Sequence, residues 1–277
     1  MKYYIDTEFL EGTQKEKFPI SLFRKNTPPT IDLISIGIVS EDGREYYAIS
    51  KDFNLKEAWN RHDVVIDIMS GDMRNKYPSG RKREVYWIRD SVLKPIWIEL
   101  SAIEATLANI KNPNPSQVTK GMSARGMEIF NKAIYESGEM DDFFTFSNLK
   151  KLINKKGKTN EHISEDVKRF VFPTAQLSVE DWHKKYDNPL FYAYYADYDW
   201  VAFCWLFGKM MDLPKGFPMY CKDLKQEVDY HLYKDVSGTY DGNSLKNHPN
   251  YPRQENEHLA IEDARWNKRF HEYLKSF

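Results

Sequence analysis

Asp42-Gly43 lies between two runs rich in β-branched and aromatic residues, IDLISIGIVS at 31–40 and EYYAIS at 45–50. A tight hairpin turn needs backbone conformations that glycine adopts freely and aspartate tolerates, so this pair predicts antiparallel pairing of the two runs. KYYIDTEF at 2–9 reads as a third strand, and the chain opens as a three-stranded meander. Further on, LFYAYY at 190–195 reads as a strand and DWVAFCWLFGKMM at 199–211 as a helix ended by Leu213-Pro214. The stretch 56–110 reads as mostly helical or irregular, with its clearest helix at 91–110. NPNP at 112–115 is a break, and short helical patterns follow, among them ARGMEIFNKAIYES and SNLKKLINKK. Residues 101–162 are expected to form a helical insertion within a single domain covering 1–277. Ser164–Phe172 resumes as helix, 235–256 is a loop rich in Asn, Pro, Gly and Asp, and a long helix closes the chain from about Glu257 to Lys275. The class is α/β.

Chemistry is carried by three elements. In Asp6-Thr7-Glu8 the two acids sit at i and i+2 of a strand and share a face. Two carboxylates ~5 Å apart repel by roughly 3 kcal/mol at an effective dielectric of 20, and a divalent cation turns that cost into attraction. In the last helix Leu259, Trp266, Phe270, Tyr273, Leu274 and Phe277 recur at steps of three and four and form one core-facing stripe. Asp263 lies on that stripe, where a carboxylate must be paired, protonated or metal-bound. His258 opens the helix five residues earlier, beside the loop. The third element is Asp197-Tyr198-Asp199, at the carboxyl end of a strand where α/β sites form. Asp199 leads directly into the helix and is preferred, with Asp197 as its competitor.

The order D-x-E, then an aromatic residue and Asp before a helix, then H-x4-D near the C-terminus, resembles the DEDDh (DnaQ-like, or RNase T-like) 3′→5′ exonucleases. The branch of small bacterial and phage 3′→5′ exoribonucleases is the most similar. The matching segments here are DTEF, AxYDW and HLAIED, within residues 1–50 and 164–277. The resemblance implies an RNase H-like mixed five-stranded sheet flanked by helices. It implies that Asp6, Glu8, Asp199 and Asp263 hold two Mg²⁺ or Mn²⁺ ions, hard cations suited to oxygen ligands. His258 would act as general base on the attacking water, a role imidazole suits near neutral pH. Nucleoside 5′-monophosphates would leave a single-stranded RNA 3′ end. Phe9 would stack on the terminal base, core packing being its alternative. Many relatives carry Asn ahead of the second-motif Asp, where this chain has Tyr195-Ala196.

The motifs do not decide RNA against DNA, so a 3′→5′ exodeoxyribonuclease stays open. So does a catalytically silent nucleic-acid-binding protein on the same fold, although the complete acid set argues against it. With 40 Lys and Arg against 41 Asp and Glu, bulk electrostatics cannot clamp a polyanion, so nucleic-acid contact must be local. Arg81-Lys82-Arg83 and the lysines at 150, 151, 155, 156 and 158 could track phosphates. Members of the family are often homodimers, though no interface signature stands in this sequence, and 101–162 could dock a protein partner. Cys204 and Cys221 have no metal-finger spacing. With no signal peptide at the start and no apolar run of membrane-spanning length, a cytoplasmic location away from membranes is expected.

Overall fold

The computed structural model describes residues 1–16, 19–23, 25–68, 81–111, 130, 132–133, 141–173, 188–233 and 246–276. Most of the pattern ARGMEIFNKAIYES and half of the loop 235–256 lie outside the described residues. The chain forms two compact units, one of Met1–Phe53 with Ile153–Phe277 and one of Asn54–Leu152.

The first unit is built on a mixed five-stranded sheet. Strands β1 (Lys2–Gly12), β2 (Thr30–Ser40) and β3 (Glu45–Ile49) form the antiparallel meander, turned at Gly43 with φ +89°. Beyond the β3 connection come α1 (Asn160–Val171), strand β4 (Leu190–Ala193) and α2 (Ala196–Trp205). Strand β5 (Lys222–Asp223), α3 (Leu224–Tyr233) and α4 (Ala260–Leu274) follow. The order is β3-β2-β1-β4-β5, and β1 pairs parallel with β4. The sheet thus changes sense at β1. Sites in α/β sheets form where the strand order reverses.

Alternation along β1 sends its side chains to two cores. Tyr3 and Ile5 pack with Ile36, Ile38, Phe191 and Phe203 beneath α1 and α2. Tyr4 turns the other way, to Tyr192, Trp266, Phe270 and Tyr273 of α4 and its surroundings. The Tyr4 hydroxyl lies 2.9 Å from His271 Nδ1 and ties down the far end of α4. Asp6 and Glu8 continue the Tyr4 face, so both acids lie on the side that α4 covers.

The near end of α4 depends on Gly37. This residue stands opposite Asp6 in β2, and a Cβ there would lie 2.2 Å from the Ala260 carbonyl oxygen. Only a residue without a side chain lets the start of α4 touch the sheet at this point.

The described helices differ in extent from the sequence expectation. The helix expected over 199–211 begins three residues sooner, at Ala196, and ends at Trp205. The final helix starts at Ala260, leaving His258 in the preceding turn.

In the second unit Trp59 and Trp97 pack around Phe144. A helix runs over Lys94–Lys111, and the unit boundary falls within another at Phe146–Lys156. A hairpin pairs Asp63–Asp67 with Arg81–Val85, in a stretch expected to be helical or irregular. Its strands are exposed on both faces, so no alternation of apolar and polar residues marks them. Arg81-Lys82-Arg83 lies on this hairpin, with Arg83 paired to Asp67 at 3.3 Å.

Gly37→Ala should force α4 off the sheet and destabilise the protein by about 2 kcal/mol, in the range of overpacked cores. Urea unfolding measures this, and an unchanged midpoint would refute the close approach.

Candidate active site

The site lies where β1 outruns β4. Register between them ends at Tyr4–Tyr192. The backbone groups of Ile5 and Thr7 on that edge therefore need other partners. The Ile5 carbonyl accepts from Asn267 Nδ2 of α4 at 2.9 Å. The Thr7 N–H donates to Asp199 Oδ1 of α2 at 2.8 Å, and the Thr7 hydroxyl donates to the same oxygen at 2.6 Å. Two helices from opposite layers are thus pinned to one stretch of strand, and each delivers an acid beside it.

Asp199 reaches inward because of the turn before α2. Tyr195 sits in the left-handed region at φ 58°, and its N–H donates to Asp223 Oδ1 at 3.1 Å. Helix starts at Ala196, so Asp199 falls in its first turn and is buried. Asp197, two residues earlier, is exposed. Of the two competitors, only Asp199 joins the other acids.

Asp263 is held from both sides. Its Oδ2 accepts the His258 N–H at 2.8 Å, and its Oδ1 accepts Gln254 Nε2 at 2.6 Å. The loop carrying Gln254 is fixed in turn, since the Pro252 carbonyl accepts from Trp266 Nε1 at 2.9 Å. His258 has φ 68°, a left-handed conformation that costs a non-glycine residue of order 1 kcal/mol or more. Its Nδ1 lies 3.9 Å from Glu8 Oε1. Glu8, His258 and Asp263 each offer a ligand atom within 4.8 Å of the others. Asp6 and Asp199 stand outside that tightest set but close enough to repel its members.

The acids bear the mark of mutual crowding. Burial, then the charges of Asp199, Glu8 and Asp263, holds Asp6 well above the usual carboxylate range. Burial, then Asp263 and Asp199, does the same to Glu8. Burial raises Asp263 against the hydrogen bonds from Gln254 and His258. Asp199 is pushed up to about 7, chiefly by burial, with Thr7 opposing. No Lys or Arg among the described residues pairs with any of the four. Ser35, fully buried and paired with Glu8 across the strands, has a hydroxyl without a hydrogen-bond partner among the described residues. A donor set of carboxylate oxygens at high charge density, with no Lys or Arg paired to it among the described residues, fits a hard divalent ion.

Phe9 is half-buried, and its ring stacks on Tyr198 at 5.6 Å between centroids. Tyr198 is 52% exposed, and the two stacked rings neighbour Glu8 and Asp199 in sequence. Sequence reasoning missed Thr7, Ser35, Gln254 and Asn267. Thr7 and Asn267 act through partners remote in sequence, Gln254 through Asp263 nine residues on, and Ser35 is set against Glu8 only by strand pairing, so no local spacing announces them. Thr7 had one available signal, its place between the two acids of D-x-E.

Together these features define a buried carboxylate cluster with a histidine at its rim, able to hold a divalent cation. No family model matches the chain. It is similar to two proteins, each named a 3′-5′ exoribonuclease, from two strains of Mycobacterium tuberculosis. Each match is 43% identical over 67 residues, covering 24% of this chain and 31% of the relative. The match thus spans about a third of the length of these curated relatives. Among the described residues no helix is long and apolar enough to cross a membrane.

Two measurements follow. The native acids titrate above their unfolded values of about 4, so the folded state binds more protons between about pH 4 and pH 7. Stability in EDTA should therefore fall as pH rises through that window, and Asp199→Asn should flatten its upper part. A melting temperature that climbs from pH 5 to pH 7.5 in EDTA would contradict the crowding. At pH 7.5, Mn²⁺ at a hundredfold excess over its Kd should raise the melting temperature by about 5 °C. No shift in any Mn²⁺ concentration would remove the cation site.

Proposed function

We propose that this chain is a metal-dependent 3′→5′ exoribonuclease of the DEDDh type on an RNase H-like core. The observation that carries the reading is the convergence of Asp6, Glu8, Asp199 and Asp263 in one buried cluster beside His258. Their order along the chain and their places on β1, α2 and α4 support the DEDDh type. The names of the mycobacterial relatives favour RNA over DNA as substrate.

Asp6, Glu8, Asp199 and Asp263 would hold two Mg²⁺ or Mn²⁺ ions. When bound, such ions supply the positive charge that activates a water and offsets charge on a scissile phosphate. The chain's own residues do the rest. His258, anchored by its backbone to Asp263 and 39% exposed at its side chain, takes the proton from the attacking water. Its partial exposure to solvent lets that proton leave. Thr7 and Gln254 fix the directions of Asp199 and Asp263 before substrate arrives, which lowers the reorganisation needed in the reaction. Phe9 and Tyr198 offer a stacked aromatic platform for the terminal base, worth about 1–3 kcal/mol per base. The products are nucleoside 5′-monophosphates.

The test is hydrolysis of 5′-labelled single-stranded RNA and DNA oligomers in Mn²⁺, with EDTA as control. RNA should shorten stepwise from its 3′ end and DNA more slowly, with no cleavage in EDTA. His258→Ala should lower kcat about 10²- to 10⁴-fold, the usual contribution of a general base. Asp6→Ala should abolish turnover with the fold intact by circular dichroism. If neither polymer shortens, the enzymatic reading fails; full activity in either variant would discard that residue's role.

A further inference from the structure

A cavity of about 190 Å³ opens in the first unit, away from the acid cluster, between the start of β2, the Asp52-Phe53 turn and the facing ends of α1 and α2. Asp32, Asp52, Phe53, Asn160, Ala202 and Trp205 are among its walls. Nothing in the proposed chemistry uses it.

Three observations say what it could hold. The first is its aromatic wall. Trp205 is 47% exposed although it ends a helix whose neighbouring residues are mostly buried. The second is its polar edge. Asp32 accepts hydrogen bonds from Gln14 Nε2 and Thr30 Oγ1, and Asp52 accepts from the Asn160 N–H, so neutral donors hold both. No cation among the described residues pairs with either carboxylate. Both keep lone pairs free to accept, and the Asn160 amide adds a donor. The third is position. Tyr198, Ala202 and Trp205 recur at i, i+4 and i+7 and share one face of α2. That face begins at the Phe9–Tyr198 stack beside the acids and ends at the cavity.

We propose that this cavity is a nucleobase subsite that takes a guanine of the RNA strand upstream of its 3′ end. The assignment rests on the exoribonuclease reading for the path of the strand. Guanine presents adjacent N–H donors and a carbonyl acceptor on one edge. Two carboxylates and one amide complement that edge, while uracil presents a single N–H between two carbonyls. The indole face of Trp205 stacks the ring. Seven residues of helix span ~10.5 Å, about three stacked base steps at ~3.4 Å each. The subsite therefore meets the base three steps from the 3′-terminal one. Phosphates pass outside the two acids, where the exposed Lys51 stands next to Asp52. A guanidinium of a protein partner shares the donor pattern, but the exposed rings of Tyr198 and Trp205 on one face of α2 favour a nucleic-acid strand.

Two readouts test this. In Mn²⁺, kcat/KM for the tetranucleotide GUUU should exceed that for UUUU about fivefold in the native protein. The ratio should fall to about one in Trp205→Ala and in Asp52→Asn, which keeps an oxygen for the Asn160 N–H. In EDTA, guanosine titrated into the protein and followed by NMR should bind saturably. That binding should be lost in Trp205→Ala and kept in Phe9→Ala. Hydrolysis without a guanine preference, or guanosine binding that ignores Trp205, overturns the subsite. Saturable binding of arginine amide in place of guanosine overturns it as well. If no RNA is cleaved yet guanosine binds through Trp205, the subsite stands and the exoribonuclease reading falls.

Discussion

Four crowded carboxylates, Asp6 half-buried and Glu8, Asp199 and Asp263 buried, repel, and no Lys or Arg among the described residues pairs with them. Each close pair costs roughly 3 kcal/mol at an effective dielectric of 20, and burial adds the loss of water around every charge. A chain of marginal stability does not keep such an arrangement for the sake of its fold, because apolar residues would pack the same volume at lower cost. Mutual repulsion is the property that makes the cluster attract a doubly charged ion. Burial first, with the charge of Asp263 added, raises Asp199 to about 7 despite two hydrogen bonds from Thr7.

Holding repelling groups together requires a stiff frame, and the frame comes from unfinished strand pairing. Where β1 runs past β4, its bare edge is closed by side chains from the two helix layers instead of by another strand. Asn267 closes the Ile5 carbonyl and so fixes α4. Asp199 closes the Thr7 N–H and so fixes α2. Gly37 sets how near α4 comes, and the Tyr4–His271 contact sets its far end. Burial first, then the nearby lysines Lys275, Lys2 and Lys222, pushes His271 down to about 3, so this anchor stays neutral at physiological pH. The groups that satisfy the backbone are the same ones that aim the acids.

Much of this was legible in the chain itself. The meander followed from Asp42-Gly43 between two strand-like runs, and the mixed sheet of an α/β class is what the first unit contains. Asp263 on an apolar helical stripe could be singled out because a carboxylate in that place demands a reason. The sequence favours Asp199 over Asp197, but the reason that only Asp199 turns inward lies in Tyr195, whose left-handed conformation starts the helix three residues sooner. Likewise the sequence puts His258 at the start of a helix, whereas it lies in a left-handed turn and its N–H donates to Asp263. Gln254 and Ser35 gave no sign at all, because the Gln254–Asp263 bond and the place of Ser35 opposite Glu8 exist only once the chain folds. The hairpin at Asp63–Asp67 and Arg81–Val85 was hidden for a different reason: with both faces exposed, it carries no burial pattern to read.

The most direct test of the central claim is anomalous X-ray scattering from crystals soaked in Mn²⁺. The account predicts two anomalous peaks among the carboxylates of Asp6, Glu8, Asp199 and Asp263, both absent from crystals of Asp263→Asn soaked in the same way. Crystals at saturating Mn²⁺ with no peak between Asp263 and the acids of β1 would contradict it.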